Sequence, residues 1–175
     1  VLDMTTGLGL GMISNGVLIT GHSGKAGEIG HVVVDPEGVR CGCGNRGCLE
    51  TLATDAATRR LVSEKVGRNL DLEETRRLLL ASPADYADVV DRVARHLAMA
   101  AAMVVTMLNP GTLLIHSELF LEPAGNLDLV SHWLTRLGLR ASVAECSLTR
   151  TSSSKEQAAV AGIIHEITRT WISGE

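Results

Sequence analysis

The sequence predicts an α/β domain, and three observations carry that prediction. The turn dipeptide Asn15-Gly16 separates two short apolar runs, the pattern of a β-hairpin. A long stretch of helical periodicity ends at Asn109-Pro110-Gly111. Beyond it, segments of strand and helix length alternate. The 175 residues are 45% hydrophobic and 21% charged, which is the composition of a globular chain and not of a disordered one. Aromatic residues make up only 2%, so the core must be aliphatic, and so few rings argue against a base-stacking surface. A net charge of −4 leaves no electrostatic footprint for a nucleic-acid backbone.

In chain order, Val1 opens a first strand, and antiparallel strands are expected at 8–14 and 17–20, followed by a glycine-rich loop over 21–30. His31-Val-Val-Val-Asp35 reads as a further strand stopped by Pro36. Thr54-Asp55 caps a helix to about 66, and Asp71 caps another to about 81. Ser82-Pro83 opens the longest helix, with Pro at its first position. Val89, Val93, Leu97, Ala100, Val104 and Met107 form its apolar stripe. Strands follow at 112–116 and 143–148, a helix spans 126–137, and a last helix runs from 152 or 153 to about 172 and contains Gly162. Cys146 is expected in the core, and Arg59-Arg60 and Arg76-Arg77 on solvated helix faces.

The longest apolar run, Leu97 to Val105, has nine residues and is too short to cross a membrane. No signal peptide is evident. The chain begins at Val1 and not at Met, which leads us to expect a longer parent polypeptide.

Three of the four cysteines, Cys41, Cys43 and Cys48, fall within eight residues. With His31 they offer one imidazole and three thiolates, a donor set that suits tetrahedral zinc. Gly42, Gly44 and Gly47 allow the tight turns this convergence needs.

Glu28-Ile-Gly-His31 followed by Cys41-Gly-Cys-Gly-Asn-Arg-Gly-Cys-Leu-Glu50 resembles the signature of the ROK family (repressors, open reading frames and kinases). These are bacterial sugar kinases and sugar-responsive repressors. The likeness is dense over 21–54 and continues more loosely to Leu108-Asn109-Pro110 and into the last helix. It implies the C-terminal lobe of an actin-like ATPase (ribonuclease H-like) fold, with a zinc-binding loop over 31–50 inserted. It implies a structural zinc on His31, Cys41, Cys43 and Cys48, and a sugar facing Glu28, His31 and Glu50. The chemistry agrees: carboxylates accept charge-assisted hydrogen bonds from paired hydroxyls, and a zinc-bound imidazole keeps its second nitrogen free for a sugar oxygen.

Thr5-Thr6-Gly7-Leu8-Gly9-Leu10-Gly11 resembles the second phosphate loop of the family, with Thr6, Gly7 and Gly9 at phosphate-facing positions. Thr5 replaces the family's first glycine, and its Cβ opposes close phosphate approach. In the family's kinases a glycine pair after the Asn-Pro strand lies under adenosine. Here His116-Ser117-Glu118 stands in its place, which points to a lost ATP site. The resemblance implies that the kinases' catalytic Asp belongs to an N-terminal lobe expected to precede Val1.

The expectation is therefore a sugar-sensing lobe spanning 1–175 of a cytoplasmic, homodimeric transcriptional regulator. A separate winged-helix domain would bind DNA. The rival expectation is a glucokinase-like enzyme that uses ATP and magnesium.

Overall fold

The computed structural model describes residues 1–123 and 125–151. The last expected helix, with Gly162, His165 and Trp171, lies outside them.

Four short strands open the chain: β1 (Leu2–Asp3), β2 (Gly9–Leu10), β3 (Ile13–Ser14) and β4 (Val17–Leu18). β3 and β4 pair antiparallel with Ser14 opposite Val17, so Asn15 and Gly16 form the two-residue turn. Their φ angles of 51° and 75° are the left-handed pair that a type I′ turn requires. The expected strand over 8–14 is broken in two. Its first half joins β1 in the main sheet, and its second half forms the separate hairpin with β4.

Helices α1 (Asp55–Val66), α2 (Leu72–Ala81) and α3 (Ala87–Leu108) follow. The Thr54 hydroxyl accepts from Ala57 N–H at the head of α1. Asp71 and Glu74 form a reciprocal capping box at the head of α2, and such caps contribute about 1 kcal/mol each. Ser82-Pro83 does not open α3 directly; residues Pro83–Tyr86 form a 3-10 turn before it. Asn109, at φ 44°, closes α3 in the left-handed conformation.

The second half comprises β5 (Thr112–His116), α4 (Asn126–Leu137), α5 (Arg140–Glu145) and β6 (Ser147–Thr151). The main sheet has the order β2-β1-β5-β6, with β1, β5 and β6 parallel and β2 antiparallel at one edge. Leu2, Leu113 and Ile115 from this sheet are buried against Val93, Leu97 and Ala101 of α3 in one aliphatic core.

Several expectations fail for physical reasons. Residues 31–35 do not form a strand. Ile29–His31 is a 3-10 turn, and only Val33 bridges to Cys48, because the Cys-rich loop curls back on this segment. The segment 143–148 is split between α5 and β6, so Cys146 sits half-buried in the connection instead of in the core. Met107 is 80% exposed, since the apolar stripe of α3 leaves the core before the last turn. Arg59, Arg60 and Arg76 are not simply solvated: each donates to a backbone carbonyl, of Leu70, Thr51 and Glu118 respectively.

Candidate sugar and metal site

The loop over 31–50 is held by backbone bonds from Leu49 N–H to Val32 O (3.0 Å) and from Cys41 N–H to Asn45 O (2.8 Å). Gly47 makes the fold-back possible. Its φ is +63°, and a Cβ there would lie 1.5 Å from the Asp35 carbonyl oxygen, so no other residue fits this crossing.

This folding gathers the four expected ligands. The donor atoms of His31, Cys41, Cys43 and Cys48 all lie within 4.8 Å of one another. His31 Nδ1 is 3.6 Å from Cys41 Sγ, and Cys43 Sγ is 3.7 Å from Cys48 Sγ. A zinc tetrahedron with ordinary bond lengths has edges of about 3.6 Å between nitrogen and sulfur and about 3.8 Å between sulfurs. The residues present therefore fit the ion in donor chemistry and in spacing. Burial pushes the Cys41 thiol up to about 12, with the adjacent Glu50 carboxylate adding to the shift. Burial also raises Cys48, whereas a backbone N–H from Asn45 lowers the exposed Cys43. Thiols crowded in this way lack a counter-charge, and a divalent cation supplies one.

Glu28, His31 and Glu50 also come together. The imidazole of His31 lies between the two carboxylates, with Nε2 3.5 Å from Glu28 and Nδ1 3.6 Å from Glu50. Glu50 Oε1 accepts from the Cys41 thiol at 2.8 Å. A cleft of about 270 Å³ is lined by Thr6, Gly7 and Gly9 on one side and by Glu28 and Glu50 on the other. The cleft thus brings together the residues expected to face phosphate and two of the three expected to face a sugar; His31 is not among its lining residues. Thr5 does not project into it. Its side chain is buried, and its hydroxyl donates to Asp3 Oδ1 at 2.8 Å.

Sequence reasoning missed two carboxylates. Asp3 lines the cleft and pairs with the buried His116 at 3.3 Å. An acidic residue inside the run Val1-Leu2-Asp3-Met4 was the available signal. Asp55, 2% exposed, accepts from Ser117 Oγ (2.6 Å) and from the N–H groups of Glu118 (2.6 Å), Leu119 (3.2 Å) and Phe120 (2.8 Å). Burial raises its carboxyl above the usual range, against the opposing pull of these four donors. Its place at a helix start gave no hint of a partner so distant in sequence.

Comparison with known proteins decides the family. Residues 1–167 match the sequence profile of the ROK family. The chain belongs to the ROK family. Among curated relatives, the DNA-binding transcriptional dual regulator NagC of Escherichia coli K12 is 36% identical over 122 residues, which is 65% of this chain and 30% of that protein. A glucokinase of Halalkalibacterium halodurans is 37% identical over 130 residues, covering 66% and 39%. The ROK hexokinase of Thermus thermophilus superposes with a TM-score of 0.81 at 29% identity, over 94% of this chain and 56% of that one. A ROK transcriptional regulator, described as a homologue of the E. coli MLC protein, gives 0.74 at 27% identity, over 89% and 42%. This ROK chain has the family's actin-like sugar-kinase fold, and it spans well under two thirds of these relatives. Regulators and kinases both occur among them, so similarity alone does not choose between the two. Among the described residues no helix is long and apolar enough to cross a membrane.

Proposed function

We propose that this chain is the sugar-sensing lobe of a ROK-type transcriptional regulator. In this reading residues 1–175 form the C-terminal lobe, and a winged-helix domain elsewhere in the protein binds DNA as a homodimer in the cytoplasm. His31, Cys41, Cys43 and Cys48 hold a structural zinc, which fixes the loop that presents Glu28, His31 and Glu50 to a sugar. With the thiols ionised on the metal, Glu50 loses its bond from Cys41 and is repelled by the resulting thiolate. Its carboxylate is then available to sugar hydroxyls across the cleft.

One observation carries the choice of regulator over kinase: the turn after β5 is filled and tied down. His116, Ser117 and Glu118 occupy the place where the family's kinases keep open glycine backbone. Asp55 takes the hydroxyl of Ser117 and three successive N–H groups of this turn. His116 is engaged by Asp3. The Ser117 hydroxyl and the N–H groups of Glu118, Leu119 and Phe120 are thereby engaged within the protein and turned away from a nucleotide, and in this reading Thr6, Gly7 and Gly9 are the relic of a phosphate loop. ATP and magnesium enter only under the kinase reading, which the sequence likeness to glucokinase and hexokinase keeps in play.

A coupled phosphorylation assay on the full-length protein with ATP, magnesium and a panel of hexoses and N-acetylhexosamines tests the choice. The regulator reading expects no turnover, together with sugar-dependent changes in operator binding. Robust phosphorylation of any of these sugars replaces it with the kinase reading.

A further inference from the structure

We infer that a cavity sharing Thr6 and Glu50 with the cleft described above binds a phosphate-type oxyanion. The cavity has a volume of about 640 Å³ and lies between residues 39–42 of the Cys-rich loop, the outer face of α1 and the turn at 67–69. Four arginines are among its lining residues, Arg40, Arg59, Arg60 and Arg68, against the two acidic residues Glu50 and Glu64. In a chain of net charge −4 this is a local excess of positive charge.

The pairing inside the cavity is incomplete. Arg60 is matched by Glu64 at 2.7 Å, and Arg68 by Glu74 at 2.9 Å. Arg59 is half-buried and donates to the Leu70 carbonyl at 3.1 Å, a neutral acceptor. Among the described residues neither Arg59 nor Arg40 has a carboxylate partner. Each carries five N–H donors in a planar fork that matches two oxygens of one anion. With Glu50 also lining the cavity, Arg40 and Arg59 still leave it net positive, and a phosphate group, at about −1.5 to −2 near neutral pH, can engage both guanidinium groups. Glu50 repels an anion from the cleft side, which places it toward Arg40 and Arg59.

Thr6 and Glu50 belong to both cavities. The phosphate can therefore be free, or carried on a sugar whose hydroxyls face Glu50; the second source rests on the sugar-binding reading above.

The test is calorimetry on the full-length protein at constant ionic strength, with sodium chloride as control. The ligands are inorganic phosphate, glucose and glucose 6-phosphate. The variants are Arg40→Gln and Arg59→Gln. Arg40 is exposed, so its variant keeps the test decisive even if Arg59→Gln unfolds. Binding of inorganic phosphate, weakened about tenfold or more by Arg40→Gln, supports a site for the free anion. Preference for glucose 6-phosphate over glucose, abolished by the same change, supports the sugar-borne source. Phosphate binding without any glucose binding keeps this site and counts against the sugar reading. Absence of phosphate binding together with equal affinity for the two sugars overturns the anion site alone. Anion binding that both variants leave unchanged overturns it as well.

Discussion

The Asp55 carboxylate accepts the Ser117 hydroxyl at 2.6 Å across 62 residues of sequence. This contact fastens the head of α1 to the exit of β5. The same helix head donates from Asp55 N–H to Met4 O (2.7 Å) and from Ala56 N–H to Thr5 O (3.2 Å), and Thr54 Oγ1 donates to Glu50 O at 2.9 Å. The segment after β1, the Glu50 segment and the β5 exit therefore all meet at the start of one helix.

Replacing Asp55 with Ala should strip a buried hydroxyl and three buried or half-buried N–H groups of their acceptor. Each such loss costs about 1–3 kcal/mol, so a total of roughly 3 kcal/mol or more is expected after partial relaxation. Urea unfolding measures it. A change below about 1 kcal/mol would show that water or neighbouring groups replace the carboxylate.

Asp55 also predicts a pH dependence with an unusual sign. Burial raises its folded pKa, so in the window above the ordinary carboxylate value the folded state binds more protons than the unfolded state. Its contribution to stability therefore falls as pH rises through that window and stays constant above it. The stability difference between the native protein and Asp55→Asn, followed from acid to neutral pH, should carry this slope. A difference rising with pH would show that the four donors outweigh burial.

The fold was legible where local chemistry dictates it. Asn15-Gly16, Thr54, Asp71 and Asn109 each mark an element end because backbone geometry or an orphan N–H demands that residue type there. The cysteine set was legible because few functions need three thiols and an imidazole so close together. Illegible were features set by distant partners. Val32-Val33-Val34 has β-propensity, but the fold-back at Gly47 takes its backbone bonds in a loop. Asp55 reads as a first-turn helix acid, and its four donors come from residues that only the sheet brings near. Arg76 reads as a surface charge, yet it reaches the Glu118 carbonyl at 2.7 Å.

The metal site predicts close to one equivalent of zinc per chain in elemental analysis of the purified protein. Cys43→Ser should abolish it and lower thermal stability, since the loop over 31–50 has little apolar packing beyond Cys48 and Leu49. Hydrogen exchange over 36–50 should rise in the same variant. Full thermal stability without zinc, with four thiols titrating freely, would remove the metal from the structure.

If the turn after β5 is closed by Asp55 and Asp3, ATP should produce little thermal shift in the full-length protein, with or without sugar. At a concentration a hundredfold above its dissociation constant, a ligand stabilises by about 2.7 kcal/mol, which is well within detection. A clear ATP-dependent shift would mean that a nucleotide enters despite the filled turn.

Glu50 separates a ligand role from a structural one. Its backbone is fixed by neighbours: its carbonyl accepts from Thr54 Oγ1, and Leu49–Thr51 forms a 3-10 turn behind Cys48. Among the described residues its side chain makes one ion pair, to His31, and Gly7 leaves it room, since a Cβ there would lie 3.3 Å from Glu50 Oε2. Glu50→Gln keeps the shape and the backbone bonds but removes the charge. Folding and zinc content should therefore survive. Sugar affinity should fall by about ten- to a hundredfold, as expected for the loss of a hydrogen bond made by a charged group. Calorimetry across hexoses and N-acetylhexosamines, with metal analysis alongside, reads both quantities. Unchanged affinity with zinc retained would remove Glu50 from the sugar contact and leave Glu28 and His31 to make it. Loss of zinc and fold together would show that the carboxylate supports the metal loop. Retained metal with a weakened sugar response is the outcome expected of a carboxylate that the zinc loop positions but does not use.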